Sequence, residues 1–221
     1  MDYYTYVLLI VLLSILPQLW VNSVYRKYSQ VRVGNGKSGE MVVNEMLFNS
    51  GISGISINRI GGHLSDHYDS KRKSINLSSD NFTNPTIASV AVAAHETGHA
   101  IQDNKGYFFL RLRHALGPAT IVASKISWIF IYLGFLLFFE PLMWVGIICL
   151  AVVLLFNIVT LPVEINASSR ARKYLISTGT YTSEEISGAT KVLRAAAFTY
   201  IAVVLAGILQ IIRLISNVRR D

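Results

Sequence analysis

Long apolar runs alternate with two polar stretches along this chain, and that alternation predicts its elements. Tyr3–Val21 is apolar apart from a few hydroxyls and Gln18, and three further runs cover residues 117–139, 142–161 and 195–215. Each is long enough to cross the ~30 Å hydrocarbon core of a bilayer as a helix. Polar residues collect in 22–116 and 162–194. The second and third runs are separated by little more than Glu140-Pro141, so they form a hairpin that returns the chain to the membrane side it left. The segment ending near Leu116 and the one starting at Pro162 can therefore meet. The expectation is a single membrane-embedded domain over residues 1–221, mainly α and multi-pass.

Shorter periodicities fill in the polar stretches. Residues 38–50 read as an amphipathic helix with Met41, Val42, Met46 and Leu47 on one side and Gly51 as its stop. Gly54–Asn58 and Ser74–Ser78 alternate at period two, as half-buried strands do. With His63–Tyr68 and the polar turn at 69–73, a small antiparallel β-hairpin is expected. Asn84-Pro85 predicts a helix start, with Asn84 as N-cap and Pro85 in the first turn, running through Gln102 to a stop at Gly106. Thr182-Ser183-Glu184-Glu185 is a capping box that opens a rod of more than thirty residues merging with the last span.

Composition agrees with the membrane reading. Hydrophobic residues make up 52% of the chain and charged ones only 15%, against roughly 25% charged in soluble domains. The net charge of +7 invites a nucleic-acid partner, but no recognition motif accompanies it. Sixteen of the 20 Lys and Arg fall in the two polar stretches instead, and the positive-inside rule then puts both, and the chemistry they carry, at the cytoplasmic face of the cell membrane. The first run lacks a basic leader and a small-residue cleavage site, so a retained anchor is expected rather than a signal peptide. Four spans starting outside would end outside, and Arg213, Arg219 and Arg220 conflict with that orientation of the last span. The single cysteine, Cys149, leaves any metal site to histidine and carboxylate.

The chemistry is concentrated in His95-Glu96-Thr97-Gly98-His99. Residues four apart on a helix share a face, so His95 and His99 can bind one metal ion, and neutral imidazole suits Zn²⁺. Glu96, beside the first ligand, can reach water polarised by that ion and act as general base. The flanking Val92, Ala93, Ala94, Thr97, Gly98, Ala100 and Ile101 are uncharged. Burying two histidines and a glutamate there without a partner ion would be costly. A catalytic zinc commonly takes a third protein ligand. Glu164 follows Pro162 directly after the hairpin, with Ala167 and Ala171 small enough to let its helix approach. Position alone leaves two readings equal: third ligand, or a carboxylate placed at a helix N-terminus by the dipole.

Three segments, His95–Gln102, Leu64–Asp69 and Leu161–Ser168, together resemble the neutral zinc metallopeptidases of the YugP-like membrane family, and the resemblance extends over nearly the whole chain. It implies a zincin-like site with zinc bound by His95, His99 and Glu164 and with Glu96 as catalytic base. The wider group that includes HtpX-like membrane proteases has Glu-x-x-Ala-Asp at the third ligand; here Ser168 stands in the aspartate's place. Ser168 can accept a hydrogen bond but brings no charge, so Asp66 or Asp69 is a candidate to orient a ligand histidine. His67 or Tyr68 would hydrogen-bond the oxyanion of the transition state, or else pin the hairpin to the active helix.

The expected function is a zinc-dependent endopeptidase acting on membrane-associated peptide or protein substrates, held extended along an edge strand such as Ser74–Ser78. An intramembrane protease of the site-2 type would usually take an aspartate ligand from a later span, and the last two spans contain none. A non-enzymatic membrane scaffold with a structural zinc is the remaining alternative.

Overall fold

The computed structural model describes residues 2–218, so Arg219 and Arg220 lie outside the described residues. These form seven helices and a three-stranded sheet. In chain order they are α1 (Tyr3–Tyr28), α2 (Gly39–Asn49), β1 (Ser56–Ile60), β2 (His67–Asp69), β3 (Ser74–Ser78), α3 (Ser79–Thr83), α4 (Ile87–Asn104), α5 (Phe108–Leu136), α6 (Glu140–Ser177) and α7 (Ser183–Val218). By length and composition α1, α5, α6 and α7 could each cross a membrane. The chain divides into two compact units, one comprising Gln18–Tyr107 and Val163–Phe198, the other the remaining segments.

The first unit has its own core. Val42, Val43, Met46 and Leu47 of α2, Ile75 and Leu77 of β3 and the apolar face of α4 form one buried cluster. Ser38 caps α2 by accepting from the Met41 N–H, and Gly51 closes it at φ +66°. The inward face differs by one residue from the expected one: Val43 is buried and Met41 is 56% exposed.

The sheet corrects the expected hairpin in one respect. β2 does pair antiparallel with β3, Tyr68 opposite Ile75, but β1 pairs parallel with the other side of β3, Ile57 opposite Ile75. The order is β1-β3-β2. Ser74–Ser78 is therefore the central strand, buried along its whole length, and not an edge.

Helix starts also shift. Asn84 closes the short α3, with its N–H bonded to the Asp80 carbonyl, and Thr86 is the N-cap of α4, its hydroxyl accepting from the Ser89 N–H. Thr182 and Glu185 exchange the two hydrogen bonds of a capping box at 2.7 and 3.2 Å, as expected. α6 runs unbroken through Pro162. The proline removes one main-chain donor, yet its fixed φ is helical, and apolar spanning helices tolerate such a residue. Glu164 thus lies in mid-helix, which removes the reading that a helix N-terminus placed it.

In the second unit, α5 and α6 are joined by a tight turn at Leu137–Phe139, where Phe138 takes φ +52°. A Cβ at Gly146 would meet the Ser127 carbonyl oxygen at 2.6 Å, and one at Gly134 would meet the Met143 N at 2.7 Å. The two helices therefore pack backbone to backbone. Ile129, Tyr132, Leu136 and Phe138 point outward and are exposed, the reverse of a water-soluble fold.

Candidate metal centre

Everything in the candidate centre comes from the crossing of α4 with the Val163–Ser177 part of α6. The crossing is close because both faces are small. A Cβ on Gly98 would stand 2.8 Å from the Ala167 carbonyl oxygen, and Ala167 and Ala171 are fully buried. That approach brings Glu164 of α6 against the two histidines of α4.

Three donor atoms converge there. His95 Nε2 lies 3.2 Å from Glu164 Oε2 and 3.2 Å from His99 Nε2, and His99 Nε2 lies 3.5 Å from the same carboxylate oxygen. A zinc ion with bonds of 2.0–2.1 Å in tetrahedral geometry sets its ligands about 3.3–3.4 Å apart, which the three separations bracket. The donor set of two imidazoles and one carboxylate is also what zinc takes. His95, His99 and Glu164 can therefore hold a metal ion. Glu164 and His99 are buried and His95 nearly so.

Each imidazole is held at its far nitrogen. Ser168 Oγ lies 3.1 Å from His95 Nδ1, and Gln102 Oε1 lies 3.0 Å from His99 Nδ1. Burial opposes a charged His99 ring, but Glu164 and Glu96 together outweigh it and raise its pKa. Glu96 is buried on α4, close enough for its charge to act on His99.

The hydrogen bonds of the hairpin carboxylates run to the hairpin and its neighbours. Asp66 accepts from the Ser78 N–H and hydroxyl and from Asn81 Nδ2, and so fastens the hairpin to α3. Asp69 accepts from the N–H groups of Lys71 and Arg72 and serves the turn. The Tyr68 hydroxyl donates to Asp103 Oδ2 of α4 at 2.7 Å, and burial and that carboxylate push its pKa well above the usual tyrosine range. It ties the hairpin to α4. His67 is exposed, its Nδ1 donating to the Ser65 carbonyl and its Nε2 accepting from Asn76.

Sequence reasoning assigned no role to Gln102 or Asn166. The available signal was spacing: Gln102 stands three after His99, on the face that carries both histidines.

Comparison with known proteins gives the chain's family. A family described as "Putative neutral zinc metallopeptidase" matches residues 3–219. The chain belongs to this family. It is also 36% identical over 203 residues to the Bacillus subtilis (strain 168) protein named "Putative membrane protease YugP", across 92% of this chain and 90% of that protein. No solved structure matches. The family's description names zinc, and His95, His99 and Glu164 are a group that could hold such an ion.

Proposed function

We propose that this protein is a zinc-dependent endopeptidase of the membrane, with His95, His99 and Glu164 as metal ligands and Glu96 as general base. The observation that carries the reading is the convergence of three donor atoms at 3.2, 3.2 and 3.5 Å on one side of a buried helix crossing. Bound zinc would polarise the attacking water and the scissile carbonyl.

The chain's own residues supply the rest. Glu96 takes the proton from the water and passes it to the leaving amine. Ser168 and Gln102 hold the two rings in place while this happens. The low exposure of Glu96, His99 and Glu164 keeps bulk water from the charges, so each counts for more than it would in solvent. An extended substrate can add to the sheet at the outer edge of β1 or β2, since β3 is already paired on both sides. Polar segments rich in Lys and Arg favour a cytoplasmic site, and a site near the membrane surface suits membrane-associated or misfolded proteins as substrates.

The test uses full-length protein purified in detergent, as wild type, Glu96→Gln and Glu164→Ala. Zinc per chain is measured by elemental analysis, and cleavage is followed on a fluorophore-labelled unfolded polypeptide. Wild type should hold stoichiometric zinc and cleave. Glu96→Gln should hold zinc without cleaving, and Glu164→Ala should lose both. Zinc without cleavage in wild type would instead indicate a structural metal. Full zinc and cleavage in Glu164→Ala would move the third ligand elsewhere.

A further inference from the structure

The amide of Gln102 is fully buried and has three partners. Its Nε2 lies 2.8 Å from the main-chain oxygen of Val163 and 3.0 Å from Asn166 Oδ1, both on α6. Its Oε1 lies 3.0 Å from His99 Nδ1. A main-chain carbonyl oxygen only accepts, so the amide nitrogen has to face Val163. Turned over, two oxygens would meet at 2.8 Å in a buried site. Asn166 supports the same orientation, because Arg170 Nε donates to the same Oδ1 at 2.8 Å and keeps that oxygen toward Gln102. Gln102 Oε1 is thereby forced toward His99, and the ring nitrogen it meets must carry the proton.

We infer that Gln102 is a positioning residue that fixes His99 as the Nδ1–H tautomer, so that the Nε2 lone pair is the one presented beside His95 and Glu164. A free neutral imidazole exchanges between two tautomers, and the wrong one would aim an N–H at the metal. Gln102 removes that choice. The same side chain clamps α6 through Val163 and Asn166, so ring orientation and the distance to Glu164 are set by one group. A neutral amide does this without adding a further negative charge beside Glu96 and Glu164, which a carboxylate would do.

The use of this tautomer rests on the zinc reading above, but the tautomer itself belongs to the zinc-free protein and is tested separately. Full-length protein labelled with ¹⁵N-histidine is stripped of metal, and its ring signals are followed as the buffer is made alkaline. The His99 ring is assigned by comparison with His99→Ala. Its long-range ¹H–¹⁵N correlations should show a proton held on Nδ1 throughout. An Nδ1 without a proton would overturn the inference and leave the zinc reading standing.

Zinc affinity, measured by chelator competition on variants with wild-type helical circular dichroism, gives the second readout. Gln102→Leu should bind zinc about 10–100-fold more weakly, the range for losing a group that orients a ligand. Gln102→Glu, which can still accept from Nδ1–H and can donate to the Val163 carbonyl only when its carboxyl carries a proton, should recover part of that loss. Wild-type affinity in Gln102→Leu, or equal losses in both variants, would count against the role.

Discussion

Two helix crossings in this protein share a packing device and differ in what it serves. Where α4 meets α6, Gly98 lies against the backbone at Ala167; where α5 meets α6, Gly134 and Gly146 lie against the backbones at Met143 and Ser127. Small residues set the spacing in both. The polar groups behave differently. Around the α5–α6 hairpin, Thr120, Ser124 and Ser127 each donate back to a carbonyl of their own helix, and Thr160 does the same on α6. At the α4–α6 crossing, His95, Gln102, Glu164 and Ser168 reach from one helix to the other. A side chain that satisfies itself on its own backbone stabilises a span. One that spends its hydrogen bond across a crossing builds a site.

The comparison breaks most sharply at Glu96. Glu96→Gln keeps the packing and removes a base, so the peptidase rate should fall by about 10²–10⁴ with helical content and zinc content unchanged. Assays on the labelled polypeptide, run beside zinc analysis, check this. A rate within tenfold of wild type would place the base elsewhere. His99→Ala should come next, with zinc affinity down by more than about 100-fold, since a ligand outweighs a group that merely orients one.

A matched pair of glycine variants then separates packing from chemistry. Gly98→Val and Gly146→Val each drive a side chain into a facing backbone, and overpacking of this kind costs about 1–3 kcal/mol. Unfolding in mixed micelles should show similar losses for both. Zinc affinity should fall only in Gly98→Val, because only that crossing carries the donor atoms. Equal effects on zinc would mean that the hairpin sets the site as strongly as the site's own helices do.

The features legible in the sequence were those that depend on local spacing. His95 and His99 are four apart on one helix, and Thr182 and Glu185 three apart at a helix start, so both patterns declare themselves. Glu164 could be brought to the histidines by hairpin parity, but setting aside the helix-terminus reading required seeing α6 run through Pro162. The start of α4 was misplaced because Asn84 and Thr86 are both good capping residues two positions apart. The first closes α3 and the second opens α4. The parallel pairing of β1 with β3 leaves no local signature, because its two strands are separated by β2. Gln102 was hidden for a related reason: its partners Val163 and Asn166 lie more than sixty residues away, and a glutamine near a helix end ordinarily faces water.

The smallest expected effect concerns the link between the hairpin and α4. Tyr68 sits on β2 and donates to Asp103, which Lys73 also reaches at 2.7 Å, so strand, turn and helix meet at one carboxylate. Tyr68→Phe deletes the hydroxyl but keeps the ring and β-propensity. Asp103 retains Lys73, so no buried charge is stranded, and the loss should be about 1 kcal/mol of stability with peptidase turnover within a factor of about two of wild type. Were the hydroxyl instead a donor to the oxyanion, its removal would cost about 10²–10³ in rate and leave stability almost unchanged. The two roles predict opposite patterns, so unfolding and turnover measured on one preparation of Tyr68→Phe decide between them.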